Sequence, residues 1–293
     1  MIRFGTCAAL ALSALLCSTP ALAQDGAPFL WKIEGETPSY LFGTFSPAFE
    51  STSKLHPAVK THLAAMDEVL DESEQNQEAV QKYLYLEQGK SIKDVLPEDV
   101  YAAVEARLKK RGVPAAALAR YRPWVVAIQL QQLEFMPELQ RGVGQSGPLQ
   151  QLLDKKPRTG LMSFEEAAGA FADAPMDDQV QIVRDILGKL EAAEAEKTKV
   201  NATWAEAYAA GDVEAAHTAW VEDMTGQSEE LNARLIKAMY DDYVGGLAKR
   251  IAEKVKAGDK GYAVLVSNHL VGGEQSLIKA LEAEGLTLTR VSE

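Results

Sequence analysis

The chain has 293 residues, of which 47% are hydrophobic and 25% charged, and its formal net charge at pH 7 is -12. These proportions are those of a globular protein, which excludes collagen-like, low-complexity and wholly disordered chains. A chain this acidic lacks the cationic surface that neutralises phosphates, so we expect no nucleic-acid partner. Docking on an anionic membrane surface is disfavoured for the same reason.

Residues 1–23 are predicted to be a secretory signal peptide. Arg3 supplies the positive charge, residues 8–16 form a short apolar segment, and Ala21-Leu22-Ala23 fits the small-residue cleavage pattern. We therefore expect cleavage after Ala23 and a periplasmic or secreted mature protein. The rest of the chain contains no apolar stretch long enough to predict a transmembrane helix.

Both cysteines of the chain, Cys7 and Cys17, lie within the predicted signal peptide. The mature chain would then contain no thiol. Disulfides, cysteine-ligated zinc and thiol nucleophiles are therefore excluded from its predicted chemistry.

Strands are predicted near the start of the mature chain. Apolar or aromatic runs over residues 29–33 and 40–45 indicate two strands joined by a turn, and residues 68–73 indicate a third. Between them, residues 56–66 carry the spacing of an amphipathic helix. The order of these elements is therefore β-β-α-β.

The middle of the chain is predicted to be mainly helical. Pro123 should either start a new helix or kink the existing one, because proline cannot donate a backbone hydrogen bond. A further strand is predicted over residues 159–163. The predicted helices span residues 97–111, 114–133, 177–199, 201–210 and 228–256.

The chain ends in a strand-helix-strand unit. Residues 262–267 form a continuous apolar run, typical of a strand buried on both faces, and residues 286–291 alternate as a final strand. The sequence therefore predicts one α/β domain over residues 24–293. Its sheet is assembled from N- and C-terminal strands, with a large, mainly helical insertion over about residues 80–257.

Polar residues follow three of the predicted strands. In open α/β sheets, ligands bind outside the carboxyl ends of strands. His269 follows the buried strand, where a neutral imidazole can bind a metal or move a proton. Ser46 follows the second strand. Glu72 and Glu74 share one face at the end of the third, where two carboxylates could hold a divalent cation or transfer a proton.

Each of these residues also has a purely structural interpretation. Ser46 could be a turn serine, Glu72 and Glu74 solvated acids, and His269 a histidine bonded to a neighbouring loop. Of the other histidines, we expect His217 to lie at the surface of an alanine-rich helix.

The strand-end segments resemble the TraB/GumN family, whose relatives include the Tiki-type metal-dependent proteases. The family's YLFGT-x-H segment corresponds to residues 40–46, with Gly43, Thr44 and Ser46, and its GxxHL-x-G segment to residues 266–272, with Asn268 and His269. A strand ending in Glu72 and the run Arg122-Pro123-Trp124 follow the same pattern.

The resemblance implies a two-lobed α/β fold with a divalent-metal site, for which Mn²⁺, Co²⁺ or Zn²⁺ is the expected ion if one is bound. Such an ion lowers the pKa of bound water and polarises a carbonyl. The implied ligands here are His269, Glu72 and Glu74, with Ser46, Asn268 or a water completing the shell. The catalytic residues would be Glu72 and His269.

The chain departs from the family pattern at several positions. Ser46 replaces the first motif histidine and Val266 replaces the second motif glycine. A family glutamate falls near Met162 or Ser163, where this chain has no acid, and a family arginine falls near Tyr243.

The site is therefore degenerate, and the sequence supports competing functions. One is an exported metal-dependent hydrolase of the peptidase type with a weakened site. The alternative is a non-catalytic periplasmic pseudoenzyme that binds a ligand or partner, such as a peptide or protein, in the same cleft. A third is an envelope scaffold whose helices dock another protein.

Overall fold

A six-stranded mixed sheet forms the centre of the protein in a computed structural model that describes residues 26–74 and 77–292. The strand order is β4-β3-β5-β2-β1-β6. The four strands β4, β3, β5 and β2 run parallel, and β1 is antiparallel to both of its neighbours. The strands are β1 (Leu30–Ile33), β2 (Ser39–Thr44), β3 (Glu68–Ser73), β4 (Arg158–Met162), β5 (Tyr262–Ser267) and β6 (Leu288–Arg290).

This topology confirms the predicted α/β class and the sheet built from both ends of the chain. The apolar run of β5 lies between β3 and β2 and is buried on both faces, as predicted. The helical insertion itself contributes β4, which pairs with β3 at the edge of the sheet.

Fourteen α-helices are assigned within the described residues. Most of them lie between β3 and β5 and match the predicted helical middle of the chain. They are α1 (Pro57–Ala65), α2 (Gln77–Leu84), α3 (Ile92–Val95), α4 (Glu98–Lys110), α5 (Pro123–Leu133), α6 (Met136–Gln140), α7 (Ser146–Leu153), α8 (Phe164–Ala172), α9 (Met176–Ala195), α10 (Ala202–Ala209), α11 (Val213–Met224), α12 (Glu229–Lys237), α13 (Tyr243–Lys256) and α14 (Leu277–Ala283).

Two predicted helices are divided in the structure. Pro123 starts α5, since the first helical position needs no N–H donor, and the preceding residues form only a short 3₁₀ turn at Ala115–Leu118. The helix predicted over residues 228–256 is helical from Glu229 to Lys256, but it is not one regular α-helix. A five-residue π-helical turn, Ala238–Asp242, separates α12 from α13.

Side chains that alternate along the strands bury both faces of the sheet. On one face, Phe42 and Leu265 pack against α1 and α7. On the other, Leu41 and Val264 pack against α10, α11, α13 and α14. Helices α3, α4, α5 and α9 build a further apolar core beside the sheet. All four tryptophans are buried, as expected of core residues.

No helix in the described ranges is both long and apolar enough to cross a bilayer. The predicted signal peptide falls outside the described residues, and its cleavage stays a prediction. The extent of the domain and of its insertion also stays a prediction.

Candidate functional site

Several of the predicted residues lie close together where the parallel strands end, at their carboxyl ends. The Oε2 atom of Glu72, on β3, accepts a hydrogen bond of 2.6 Å from the backbone N–H of Ser267, on β5. The side-chain amide of Asn268 donates a bond of 2.7 Å to the backbone oxygen of Thr44, on β2. The ends of three strands are thus connected through side chains.

Asn268 is the centre of this connection. Its side chain is buried, and its Oδ1 atom accepts a bond of 2.9 Å from the indole N–H of Trp204 on α10. A Cβ atom on Gly43 would stand 3.1 Å from the Cα atom of Asn268, so a larger residue at this position would press against the start of the loop after β5. Asn268 therefore uses its amide oxygen and nitrogen to join helix and sheet.

Glu72 has hydrogen-bond donors on both carboxylate oxygens. The second donor is the hydroxyl of Tyr243, at 2.8 Å from Oε1. Burial and the nearby Glu72 charge raise the pKa of Tyr243 far above its usual range, so this hydroxyl keeps its proton. Tyr243 stands where the resemblance places an arginine. Its hydroxyl holds Glu72 in a hydrogen bond within the protein.

The π turn at residues 238–242 contains Tyr240 and directly precedes Tyr243, and both tyrosines reach the strand ends. Tyr243, at the start of α13, bonds Glu72, and the hydroxyl of Tyr240 donates a bond of 3.0 Å to the backbone oxygen of His269. Such turns shift the helical register and recur at functional sites. The sequence singled out Tyr243 only as the residue near the family arginine position, and it did not single out Tyr240.

The imidazole of His269 lies flat against an indole ring. Its centroid is 3.9 Å from that of Trp220, with the ring planes 4° apart. Burial in this position, and to a lesser extent the adjacent His217, lower the pKa of His269 well below its usual range, so the ring is neutral at pH 7. The Nδ1 atom of His217 donates to the His269 carbonyl at 3.0 Å. Our expectation that His217 lies at the surface was wrong, because it is half-buried here.

His269 forms part of the wall of an apolar cavity of about 210 Å³, which we call the aromatic cavity. Helices α5, α9, α11 and α12 contribute most of its wall, and Trp124, Phe171 and Trp220 are its aromatic members. A second cleft, the side cleft, shares four wall residues with this cavity and continues to Ser46. The four shared residues are Ile128, Gln131, Trp220 and Met224.

The predicted metal ligands do not form one cluster in this structure. His269 lines the aromatic cavity, Ser46 is exposed at the far end of the side cleft, and Glu72 lines neither. Glu74 is exposed at the end of β3. Over residues 26–74 and 77–292, no three acids, histidines or cysteines are grouped to hold an ion.

Both carboxylate oxygens of Glu72 already accept hydrogen bonds from the protein. The predicted metal ligands, as arranged, therefore do not fit a divalent ion, and we derive no chemical step through one. Metal binding by His269, Glu72 and Glu74 stays a prediction.

The fold and the aromatic cavity define an α/β protein with a ligand-sized cavity among its helices, whose wall includes His269, two residues after the end of β5. The model of the TraB/PrgY/gumN family matches residues 29–290, so the chain belongs to this family. Comparison with curated proteins and with solved structures found no significant match.

Proposed function

We propose that the protein is a non-catalytic, ligand-binding member of the TraB/PrgY/gumN family. The proposal rests on the contacts that the two predicted catalytic residues, Glu72 and His269, make in the structure. Tyr243 and Ser267 occupy both oxygens of Glu72, while His269 lies against Trp220 in an apolar cavity. His269 lines the aromatic cavity and Glu72 lines neither that cavity nor the side cleft, which supports ligand binding without hydrolysis.

The composition of the aromatic cavity supports binding. Ligand sites are concave and mostly apolar, with a small number of polar groups that orient the ligand. This cavity has that character, and its polar members are few. An apolar cavity is a poor site for water, which needs several polar partners, so burying an apolar ligand there is favourable.

A fluorescence titration tests ligand binding. The uncharged probe N-phenyl-1-naphthylamine should bind the purified protein saturably. Ile128→Trp should weaken that binding by about tenfold or more, because a larger side chain at the junction of the cavity and side cleft takes up ligand volume. The matched control is Ile278→Trp on α14, a half-buried position that lines neither space, where affinity should be unchanged. Equal affinity in both variants would place the probe elsewhere and count against the proposal.

Calorimetry distinguishes this proposal from metal-dependent hydrolysis. With Mn²⁺, Co²⁺ and Zn²⁺ in turn, we expect no binding that depends on His269. The comparison is between the unmodified protein and His269→Ala. Tight binding that disappears in His269→Ala would instead support a surviving metallohydrolase of the peptidase type, acting through His269 and Glu72, and would overturn the non-catalytic proposal.

We also infer that the protein acts after export, because its first 23 residues carry all three regions of a signal peptide. Intact-mass measurement of the protein from the periplasmic fraction of an expressing bacterium should give a chain that begins at Gln24. A chain retained in the cytoplasm with residues 1–23 attached would contradict export without bearing on the ligand site.

A further inference from the structure

The imidazole of His269 has unused hydrogen-bonding capacity at the aromatic cavity. Within the residues that the structure describes, neither ring nitrogen makes a hydrogen bond, and neither is among the unpaired atoms that are fully buried. Both nitrogens therefore keep accessible surface. Trp220 covers one face of the ring, and Asn268 and Leu270, its neighbours in the chain, are buried. The open part of the ring thus borders the cavity that His269 lines.

The chemistry of this imidazole determines which ligand group it can bind. The ring is neutral because burial lowers the pKa of His269, and in a neutral imidazole one nitrogen donates a hydrogen bond while the other accepts one. Both nitrogens lie in the ring plane, at the edge that the parallel indole of Trp220 leaves uncovered. A hydroxyl group can donate to one nitrogen or accept from the other, so it matches either tautomer of the ring.

Three other polar side chains of the wall are already engaged with the protein. The Lys189 ammonium donates to three backbone oxygens at the end of α11, at 2.7, 2.5 and 2.6 Å. The amide of Asn232 bonds the backbone N–H and oxygen of Gly226 at 2.8 and 2.9 Å, and Asp185 accepts a bond of 2.9 Å from Gln181. Lys189 and Asp185 carry opposite charges, so the wall offers no net charge to an ionic ligand, whose loss of hydration is large in an apolar site.

The rest of the wall favours a flat ring system. Trp124, Phe171 and Trp220 are its aromatic members, and aromatic groups pack on such surfaces in offset or edge arrangements that add to the free energy of apolar burial. An apolar cavity of about 150 Å³ holds one benzene ring, so the cavity of about 210 Å³ has room for a larger ring system.

We propose that the aromatic cavity binds an uncharged, hydroxyl-bearing ring compound whose hydroxyl group bonds a ring nitrogen of His269. The proposal rests on the ligand-binding function above and names the chemical class of its ligand. His269 is thereby a specificity-determining residue that selects for a hydroxyl on the ring system.

Two matched probes test the role of the hydroxyl. They are 2-naphthol and 2-methylnaphthalene, which share a flat ring system and differ only in a hydroxyl against a methyl group. His269→Phe keeps a flat ring beside Trp220 and removes both nitrogens. Displacement of N-phenyl-1-naphthylamine gives the affinities. The substitution should weaken binding of 2-naphthol by about threefold to tenfold, the range expected for one net hydrogen bond, and change binding of 2-methylnaphthalene by less than about twofold.

The matched control is His62→Phe, on α1. This histidine also stacks on an aromatic ring, that of Tyr40, with centroids 4.3 Å apart and planes 17° apart, and it lines neither the aromatic cavity nor the side cleft. Its replacement should leave both affinities unchanged.

Nitrogen NMR of the unmodified protein tests the same bond without a variant, and it decides the matter if His269→Phe does not fold. One ring-nitrogen resonance of His269 should move further on addition of 2-naphthol than on addition of 2-methylnaphthalene, because the two ring systems are alike and only the hydroxyl bonds the nitrogen. Equal movement with both probes would contradict the assigned bond.

The outcomes separate the two proposals. If both probes bind but His269→Phe weakens them equally, the cavity is a binding site and the hydroxyl bond is wrong. If neither the probes nor N-phenyl-1-naphthylamine bind the unmodified protein saturably, the ligand-binding function itself fails. Unchanged affinity of His269→Phe for 2-methylnaphthalene would show that its loss of 2-naphthol binding is not due to misfolding.

Discussion

Replacing Gln145 with alanine is expected to lower the free energy of unfolding by about 4 kcal/mol, the largest effect we predict. The Gln145 amide is buried and makes three long-range hydrogen bonds. Its Oε1 accepts from the N–H of Phe45 at 3.0 Å, and its Nε2 donates to the backbone oxygen of Thr52 at 2.9 Å and to the hydroxyl of Tyr208 at 3.1 Å. The substitution leaves buried polar groups without partners. Equilibrium urea unfolding measures the change.

The matched control is Gln150→Ala, an exposed position in α7, the helix that Gln145 precedes. Its effect should stay within about 0.5 kcal/mol. A loss of less than about 1 kcal/mol at Gln145 would show that water replaces the amide at little cost, and would contradict the network described for the end of β2.

Replacing Asn268 with alanine is expected to cost about 3 kcal/mol, because the indole N–H of Trp204 and the backbone oxygen of Thr44 both lose a buried partner. The change also removes the connection between α10 and two strand ends. Chemical unfolding at equilibrium again gives the magnitude.

A double-mutant cycle isolates the bond between the two side chains. Trp204→Phe removes the donor, so Asn268→Ala should cost about 1 kcal/mol less in that background than in the unmodified protein. The control Ser267→Ala changes the adjacent, half-buried residue and should have little effect. Strictly additive costs for Trp204 and Asn268 would rule out the interaction as the source of the lost stability.

The fold could be predicted largely from local patterns. The continuous apolar run of β5 indicated a strand covered on both faces, and Pro123 marked a helix boundary. Parallel strands place their carboxyl ends at one edge, so the meeting of Glu72 with the end of β5 also followed from the predicted elements. These are consequences of periodicity and backbone chemistry, which a single sequence displays.

The chemistry of the site could not be predicted in this way. The bond between Glu72 and Tyr243 joins residues 171 positions apart, and it depends on how α13 crosses the strand edge. The π turn that precedes Tyr243 has no clear sequence signal, since residues 228–256 keep a helical pattern throughout. The orientation of His269 toward Trp220 is likewise set by tertiary packing of α11 on the sheet. One residue could have indicated the bond to Glu72. Tyr243 lies near the family arginine position and carries a hydrogen-bond donor but no positive charge.

The position of β5 in the sheet also determines when the sheet can form. β5 separates β2 from β3, so these two strands cannot pair with each other in its absence. Thr44 and Val266, which are joined by a hydrogen bond, lie 222 residues apart, and closing so long a loop makes nucleation slow. A growing chain therefore emerges without its central sheet until β5 has been synthesised. Until then, the pair β1–β2 and the pair β3–β4 have no strand that joins them into one sheet.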